Sequence, residues 1–477
     1  MNFVKKLDSA PSLYFLPENK EPDFFSEDLK NYIFKERAFE GKAKESLVYI
    51  GPKTDNIILV GLGKEEDLEA DTYVQAGYRA YKLAQENKLE GLNLSVEAFG
   101  DIHPAKALQD TVEGLYQGAY HFDSYLKEKK ERRLKEVHIH SELEDQEALI
   151  QEVSHLMEAV YAARDFVNAP ANDLYPESFA QRVLDLFKDL DVDIRVYDEK
   201  EVKDMGMEAL LAVGKGSDRP VRFLVAKYLP LGEDQEAITL VGKGMTYDSG
   251  GYALKPARSM DTMKSDMAGA ATAVASLYAL AKNQVQENVV AIFAAAENMV
   301  SGGAVRNGDI IGSMKGSTIE VNNTDAEGRL ILADALYYAA SQVNSKAIID
   351  MATLTGAAIA ALGYDITAAL TNDQELLDGL LATSRATGEG MWQLPITPGI
   401  REKTKSKVAD LDNSSRTYRV AGTIYAAAFL EHFVEGKPWI HLDIAGPAYK
   451  DSPSGYLPYG ATGVPVKTLY HYIKKQK

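Results

Sequence analysis

Asn323-Thr324-Asp325-Ala326-Glu327-Gly328-Arg329-Leu330 places two carboxylates and one guanidinium at alternate positions, where a strand pattern gives way to a helix pattern. Residues 317–321 alternate like a strand, and residues 330–343 have the apolar spacing of a helix. Asp325, Glu327 and Arg329 are therefore expected on the connecting loop, and they would point the same way if that loop is extended. An isolated Asp-x-Glu pair is also typical of a solvated helix start. Because ligands bind outside the carboxyl ends of strands in open α/β sheets, the stretch indicates a metal site.

A second group of acids lies upstream of this stretch. Residues 237–241 form an apolar, β-branched run typical of a buried strand, and the glycine-rich residues 242–251 follow directly. We expect Lys243 and Asp248 to leave the end of that strand in a tight turn, because glycine lets the backbone fold closely around a small ligand. Asp266 lies at the start of an Ala-rich helix, where a helix N-terminal acid is equally expected. Hard divalent cations prefer oxygen ligands, and two cations can share bridging carboxylates of the kind offered by Asp248, Asp266, Asp325 and Glu327.

The residues that are missing narrow the chemistry. The chain has no cysteine, and no histidine lies between His155 and His432. The middle of the chain therefore cannot supply a histidine-rich zinc site, a Ser-His-Asp triad or a thiolate nucleophile. His138 and His140 alternate as on the exposed face of a strand, and His441 is interpreted as a core histidine with a hydrogen-bond partner.

Residues 241–251 and 323–330 resemble the two signature segments of the leucyl aminopeptidase (cytosol aminopeptidase) family of two-metal exopeptidases. The likeness covers essentially residues 160–475, with a weaker likeness at residues 60–64. It continues in the family's order through residues 163–172, 352–357 and 441–446.

This resemblance implies a ligand set for two divalent metal ions, Mn or Zn. Asp248 and Glu327 would bridge the two ions. Asp325 would complete one site, and Lys243 with Asp266 would complete the other. A lysine coordinates a metal only as the neutral amine, so the pKa of Lys243 would have to be lowered strongly by two dications and partial burial.

The resemblance also implies a catalytic pair that does not bind metal, Lys255 and Arg329. Lys255 would polarise the scissile carbonyl while a two-metal-activated water attacks it, and Arg329 would hold a bicarbonate ion as a proton shuttle. Lys255 precedes Pro256, which favours an extended backbone. An apolar pocket for the first side chain would favour leucine-like residues, with broad specificity, and would be lined by Met263, Thr353, Gly356 and Ala445.

Gly242-Lys243-Gly244 has alternative interpretations. Gly214-Lys215-Gly216 repeats the pattern, which is also typical of a solvated surface turn. Nucleotide binding is disfavoured because the sequence lacks both the third glycine of a dinucleotide loop and the Gly-Lys-Ser/Thr of a phosphate loop. The sequence departs from the family's pattern at Val300 and Asn307, where prolines are usual, and we expect these changes to loosen a connecting loop without affecting the metal chemistry.

Length and patterning predict an α/β protein of two domains. At 477 residues the chain exceeds the size at which a single core stops growing. We expect a smaller N-terminal α/β domain over residues 1–145 and a linker helix over residues 146–170. A larger C-terminal catalytic metallopeptidase domain, α/β with a mixed central sheet, is expected over residues 171–477.

Composition limits the partners. The net charge of -18 disfavours nucleic acid and anionic membranes, which require clustered Lys and Arg. No apolar run approaches the roughly 20 residues needed to span a bilayer, and no signal pattern follows the first residues, so we expect a cytoplasmic protein. The resemblance implies a homo-hexamer of two stacked trimers with enclosed sites, which would restrict substrates to short peptides.

Two hypotheses of different classes follow. The first is a metal-dependent aminopeptidase that releases N-terminal residues from short peptides. The second is an inactive homologue that acts as a binding or DNA-regulatory protein, as some family members do. The first is favoured because a degenerate homologue would be expected to lack some of the implied ligands and catalytic residues, and this chain has them all.

Overall fold

The computed structural model describes residues 1–7, 10–49, 56–415 and 420–475. These residues form two compact units, Met1–Met157 with Pro453–Pro458, and Glu158–Ser452 with Tyr459–Lys477. The boundary after Met157 falls inside one long helix, Gln146–Asn168. The α/β class, with a smaller N-terminal part and a larger C-terminal part, is confirmed.

The first unit contains a six-stranded sheet in the order β1-β6-β5-β2-β4-β3, parallel except for β3 against β4. Its strands are β1 (Asn2–Phe3), β2 (Ser12–Pro17), β3 (Ser46–Tyr49), β4 (Ile57–Gly63), β5 (Gly91–Ser95) and β6 (Glu136–His140). Its helices are α1 (Glu27–Lys30), α2 (Thr72–Glu86), α3 (Pro104–Ala119) and the first part of α4 (Gln146–Asn168). Buried apolar side chains on β2 and β4, such as Leu16 and Leu59, form part of its core.

The second unit is built on an eight-stranded mixed sheet in the order β15-β14-β17-β13-β9-β10-β8-β7. The four central strands β17, β13, β9 and β10 run parallel, whereas β14, β8 and β7 each pair antiparallel to a neighbour. These strands are β7 (Asp193–Tyr197), β8 (Arg222–Tyr228), β9 (Ala237–Asp248), β10 (Val289–Asn298), β13 (Ser345–Ala352), β14 (Thr367–Thr371), β15 (Met391–Gln393) and β17 (Trp439–Asp443). Every residue of β10 and β17 is buried, as expected for strands covered on both faces.

Shorter strands form small sheets beside the main one: β11 (Ile310–Ile311), β12 (Ile319–Glu320), β16 (Leu411–Asp412), β18 (Tyr449–Lys450) and β19 (Gly460–Ala461). The helices of this unit are α5 (Pro176–Phe187), α6 (Glu199–Asp204), α7 (Glu208–Gly214), α8 (Ala257–Met260), α9 (Ala268–Lys282), α10 (Gly328–Ser341), α11 (Gly356–Leu362), α12 (Gln374–Thr387), α13 (Pro398–Lys403), α14 (Gly422–Glu431) and α15 (Val466–Lys474). Among the described residues, no helix combines the length and the apolar character that crossing a bilayer requires.

The prediction of a glycine turn directly after Val241 was wrong. β9 continues to Asp248, so Lys243 lies within a central strand. Gly242 serves close packing instead, because a Cβ atom there would lie 2.4 Å from the Cα atom of Ala270 on α9. The turn begins after the strand, where Gly250 and Gly251 have φ values of 85° and 61°.

The loop that carries Asp325 and Glu327 is shorter than expected. The strand predicted over residues 317–321 is limited to β12, and α10 begins at Gly328 with Glu327 as its N-cap. Arg329 therefore lies in the first turn of α10 rather than on the loop. A buried helix start fixes its direction more firmly than a loop would.

Candidate active site

Three carboxylates meet at the carboxyl-terminal edge of the mixed sheet. Asp248 ends β9, while Asp325 and Glu327 lie directly before α10. One oxygen from each side chain lies within 4.8 Å of the others, which is close enough for one ion to contact all three. Asp248 and Glu327 are buried, and Asp325 is partly exposed.

Two lysines contact this acidic cluster from different directions. The buried Lys243 Nζ lies 2.7 Å from Asp266 Oδ2 and 3.1 Å from Glu327 Oε1. Lys255 Nζ lies 2.8 Å from Asp248 Oδ2 and 2.6 Å from Asp325 Oδ1. Six of the seven residues predicted as ligands or catalytic groups are thus in direct contact with one another. The seventh, Arg329, has its guanidinium bonded to the Asn413 carbonyl instead.

Asp266 is fixed by β13 as well as by Lys243. It lies between the 3-10 turn Met263–Ser265 and α9. Thr353, which directly follows β13, donates from its hydroxyl to Asp266 Oδ1 at 2.8 Å. The Thr353 carbonyl accepts a 3.0 Å hydrogen bond from Lys243 Nζ. Thr353, predicted as a substrate-pocket residue, therefore positions two predicted metal ligands.

Burial and repulsion by neighbouring acids raise the pKa values of the Asp266, Asp325 and Glu327 carboxyl groups. Burial, offset in part by Lys243 and reinforced by Asp248 and Glu327, raises the pKa of Asp266 to about 8. Burial, followed by the charge of Asp248, raises the pKa of Glu327. Four carboxylates face only two ammonium groups, so the cluster carries excess negative charge that burial makes costly.

The donor atoms fit divalent cations. Glu327 Oε2 is buried and accepts no hydrogen bond from any described residue. Asp266 Oδ2 and Asp325 Oδ1 also lack a hydrogen bond of normal geometry from described residues, although each lies within ion-pair distance of a lysine. Buried carboxylate oxygens are normally satisfied, so aligned oxygens with free lone pairs indicate a cation site.

Arg329 is buried in the first turn of α10, and among the described residues it forms no ion pair with the acids of the cluster. Its Nη1 donates to the Asn413 carbonyl at 2.7 Å, and its guanidinium carbon lies 5.8 Å from the centre of the Tyr425 ring. Its Nε is buried and donates to no described residue. Burial lowers the pKa of Arg329, against the opposing effect of nearby acids. A buried guanidinium with free donors is suited to an anion.

Two asparagines that support the site were missed in the sequence. Asn298, the last residue of β10, donates to Asp248 Oδ1 at 2.8 Å and to the Thr324 carbonyl at 3.0 Å. Asn413 accepts from the Asn322 amide at 2.8 Å and donates to the Asn323 carbonyl at 2.7 Å. The position of Asn298 at a strand end could have indicated it, whereas Asn413 follows β16 and carried no comparable signal.

The remaining predicted pocket positions flank the cluster. Met263 opens the 3-10 turn before Asp266, and Gly356 opens α11. Asp443, fully buried at the end of β17, accepts from the Ala445 amide at 3.2 Å and from the Thr355 hydroxyl at 2.6 Å. Asp443 therefore ties two predicted pocket segments together, and their contact with substrate stays a prediction.

His138 and His441 each contact a residue that is not part of this cluster. His138 Nδ1 contacts Asn93 Oδ1 at 3.1 Å in the first unit. His441 is fully buried in β17, and its Nδ1 lies 2.7 Å from Asp350 Oδ1. The interpretation of His441 as a core histidine holds for Nδ1, whereas its Nε2 has no hydrogen-bond partner among the described residues.

Comparisons with known proteins place this chain beside one family of enzymes. The pattern of the "Cytosol aminopeptidase family, catalytic domain" matches residues 161–470, and that of the family's N-terminal domain matches residues 17–129. A "Probable cytosol aminopeptidase" of Clostridium tetani is 41% identical over 99% of both chains. Another with the same description, from Clostridium perfringens, is 42% identical over 97% of this chain and 96% of its own.

A solved structure has the same fold. The "Bottromycin maturation enzyme BotP in complex with Mn" superposes with a TM-score of 0.89 at 33% identity, covering 98% of this chain and 99% of its own. The chain belongs to the cytosol aminopeptidase family. Its class, a metal-dependent aminopeptidase, follows from that membership and confirms the sequence-based prediction.

Proposed function

We propose that the acidic cluster holds two divalent metal ions and that the protein uses them to release N-terminal residues from short peptides. The observation that carries this proposal is the cluster of the buried Asp248 and Glu327 with the partly exposed Asp325, in which an oxygen of Glu327 has no hydrogen-bond donor among the described residues. Mn or Zn is the proposed metal, and Mn is the ion named with the BotP structure.

The proposed ligand assignment divides the cluster between two sites. Asp248 and Glu327 would be shared by the two ions. Asp325 would complete one site, with Lys243 and Asp266 completing the other. When bound, the ions supply an activated water and a Lewis acid for the scissile carbonyl.

Lys243 must lose its proton to serve as a ligand. Among the protein groups, burial lowers the pKa of Lys243, but the charges of Asp266, Glu327 and Asp248 outweigh burial and raise it. Two dications would neutralise those carboxylates and act in the opposite direction. We therefore propose that metal binding releases the proton of Lys243.

Lys255 would act on the substrate as an ammonium group. Burial lowers its pKa, but Asp248 and Asp325 raise it overall, so Lys255 carries a proton at neutral pH. That ammonium can donate to the carbonyl oxygen of the scissile peptide and stabilise the negative charge that develops there. No protein nucleophile is required.

Arg329 would hold a bicarbonate ion, which can shuttle protons. The support is its buried Nε, which has no described acceptor, and its fixed position beside Glu327. No histidine lies between His155 and His432, the part of the chain that supplies every predicted ligand and both predicted catalytic residues, so that part offers no histidine as an alternative general base.

Substrate choice and assembly are proposed from the resemblance. A leucine-like first residue would enter a pocket lined by Met263, Thr353, Gly356 and Ala445, with weak discrimination among apolar side chains. A cytoplasmic homo-hexamer with short-peptide substrates is proposed, and a net charge of -18 disfavours nucleic acid and anionic membranes as partners.

The test is hydrolysis of leucyl amide by protein treated with a chelator and then supplied with Mn, Zn, Co or Mg in turn. We expect activity to vanish with the chelator and to return with Mn, Zn or Co. Glu327→Gln should weaken metal binding measured by calorimetry, whereas Glu435→Gln, which removes a surface acid paired with Lys315, should not. Full activity without metal would contradict the proposal, and metal binding without hydrolysis of any aminoacyl amide would favour the binding or regulatory alternative.

A further inference from the structure

The hydroxyl of Thr324 joins two loops of the candidate active site. Thr324 is buried and directly precedes Asp325. Its Oγ1 donates to the Gly250 carbonyl at 2.8 Å and accepts from the Ala253 amide at 2.7 Å. One side chain thus holds both ends of the turn that leads from Asp248 to Lys255.

The backbone of Thr324 is fixed from the opposite side. Its amide donates to Asn307 Oδ1 at 3.2 Å, and its carbonyl accepts from Asn298 Nδ2 at 3.0 Å. Asn298 also donates to Asp248 Oδ1 at 2.8 Å. Asn298 therefore fixes Thr324 relative to Asp248. The Thr324 hydroxyl in turn fixes Gly250 and Ala253 of the turn.

The conformation of the turn determines the position of the Lys255 backbone, from which its side chain extends. The Lys255 amide donates to the Ser249 carbonyl at 3.0 Å, which closes the loop below Thr324. The neighbours of Ala253 are partly exposed: Leu254 is 59% exposed, and Tyr252 is 48% exposed with its hydroxyl donating to the Ser301 carbonyl at 2.9 Å. The lysine side chain is flexible, with four rotatable bonds, so the position of its ammonium group depends on how firmly the Lys255 backbone is held.

We propose that Thr324 is a positioning residue that places the Lys255 ammonium for its role at the scissile carbonyl. The inference rests on the function proposed above, in which Lys255 acts on substrate. Thr324 itself touches neither substrate nor metal in this scheme, and it acts through the turn between Gly250 and Ala253.

The hydroxyl is the group that the Thr324 side chain must provide. A Cβ atom added at Gly251 would lie 3.1 Å from Cβ of Thr324, so the turn packs directly on this residue. Thr324→Val keeps the branched shape and removes the hydroxyl. Thr324→Ser keeps the hydroxyl and removes the methyl group.

The experiment is a double-mutant cycle with Lys255→Ala, measured with leucyl amide in the presence of Mn. We expect Thr324→Val to lower kcat by about tenfold to a hundredfold, in the range expected when a catalytic group is displaced by about 1 Å. Thr324→Ser should stay within about threefold of the unchanged protein. In the Lys255→Ala background, Thr324→Val should cause less than about a threefold further loss, because its target is already gone.

Two readouts separate positioning from a general structural effect. Calorimetric titration with Mn should give the same stoichiometry, and the affinity should agree within a few fold, for Thr324→Val and the unchanged protein. Hydrogen exchange at the Ala253 amide should become faster in Thr324→Val. Thr239→Val, which removes a buried hydroxyl bonded to Ser345 Oγ on the same strand as Lys243, should leave kcat unchanged.

An equal loss of kcat in both backgrounds, a loss of Mn binding, or an equal defect in Thr324→Ser would overturn the proposal. If Thr324→Val does not fold, Thr324→Ala removes the same hydroxyl from a smaller side chain and is judged by the same outcomes. Failure of the proposed function is distinguishable, because the unchanged protein would then show no Mn-dependent hydrolysis, while the exchange measurement at Ala253 still reports on the Thr324 contact.

Discussion

Asp334 anchors the helix that carries Arg329, and its substitution should change how stability depends on pH. Asp334 is fully buried on α10. Its Oδ2 accepts from the Leu210 amide at 2.9 Å, and its Oδ1 accepts from the Met314 amide at 2.8 Å. Burial raises the pKa of Asp334 to about 7, opposed by these backbone bonds and reinforced by the charge of Glu208.

The direction of the pH dependence of stability follows from where the proton is bound. Between the ordinary pKa of 3.8 and about 7, the folded protein holds a proton on Asp334 that the unfolded chain has released. The contribution of this group to stability is therefore complete below the lower value and falls as the pH rises to the upper one. Over the whole window the loss approaches about 4 kcal/mol, of which about 2–3 kcal/mol falls between pH 5 and pH 8.

Asp334→Asn removes this titration. Its amide can accept one of the two backbone bonds, and the other N–H loses its acceptor, which costs about 1–3 kcal/mol at all pH values. The difference in unfolding free energy between Asp334→Asn and the unchanged protein should therefore shift in favour of the variant by about 2–3 kcal/mol from pH 5 to pH 8.

The assay is urea-induced unfolding at pH 5, 6, 7 and 8 with a chelator present, so that metal binding does not contribute. Thr239→Val serves as the control, because it loses a buried hydroxyl that does not titrate and its destabilisation should not change with pH. A difference for Asp334→Asn that stays constant within about 0.5 kcal/mol from pH 5 to pH 8 would refute the reasoning.

Three further predictions concern the site. Lys255→Ala should keep its metal content while kcat falls by about two to three orders of magnitude; if metal analysis beside the kinetics shows that metal is lost, Lys255 has a structural role instead. Leucyl amide should be cleaved at a kcat/KM at least a few hundredfold above that of acetyl-leucyl amide, because acetylation removes two charge-assisted contacts of about 1.5–3 kcal/mol each. Asp266→Asn should narrow that gap, and comparable rates for the two substrates would rule out amine recognition. Gly328→Ala should weaken Mn binding in calorimetry by about tenfold, because its Cβ would lie 2.4 Å from Lys243 Cε and such crowding costs about 1–3 kcal/mol. Gly399→Ala, with no atom within 4 Å of its added Cβ, is the matched control, and equal Mn affinity in both variants would contradict the crowding argument.

The sequence was most informative where chemistry and strand ends coincide. Asp248 and Asp325 could be predicted to lie close together because each follows a strand pattern, and parallel strands present their carboxyl ends at one edge. Asp266 could be placed because an Ala-rich helix follows it. These side chains do meet, but β12 before Asp325 belongs to the small three-stranded sheet, so Asp325 lies close to Asp248 through the start of α10 and not as a strand end of the mixed sheet.

The sequence was less informative where a residue's role depends on a distant neighbour. Gly242 reads locally as a turn glycine, yet it packs against Ala270, a contact that no local pattern reveals. Asn413 bonds to residues about 90 positions away, at Asn322 and Asn323, and its own segment has no motif. Thr353 was predicted to line a pocket. Its bond to Asp266 depends on the pairing of β13 with β9, which the local sequence does not indicate.

The central position of β9 has a consequence for how the protein matures. Its neighbours β10 and β13 begin at Val289 and Ser345, so the chain must emerge well beyond Asp248 before either edge of this strand is covered. Pairings of such sequence separation form slowly, because loop closure precedes any gain from contact. The contacts of Lys243 with Glu327 and Thr353 therefore cannot form until the chain has been made past β13 and Thr353. A chain still being synthesised would lack the assembled centre and could not trim other peptides before its own folding is complete.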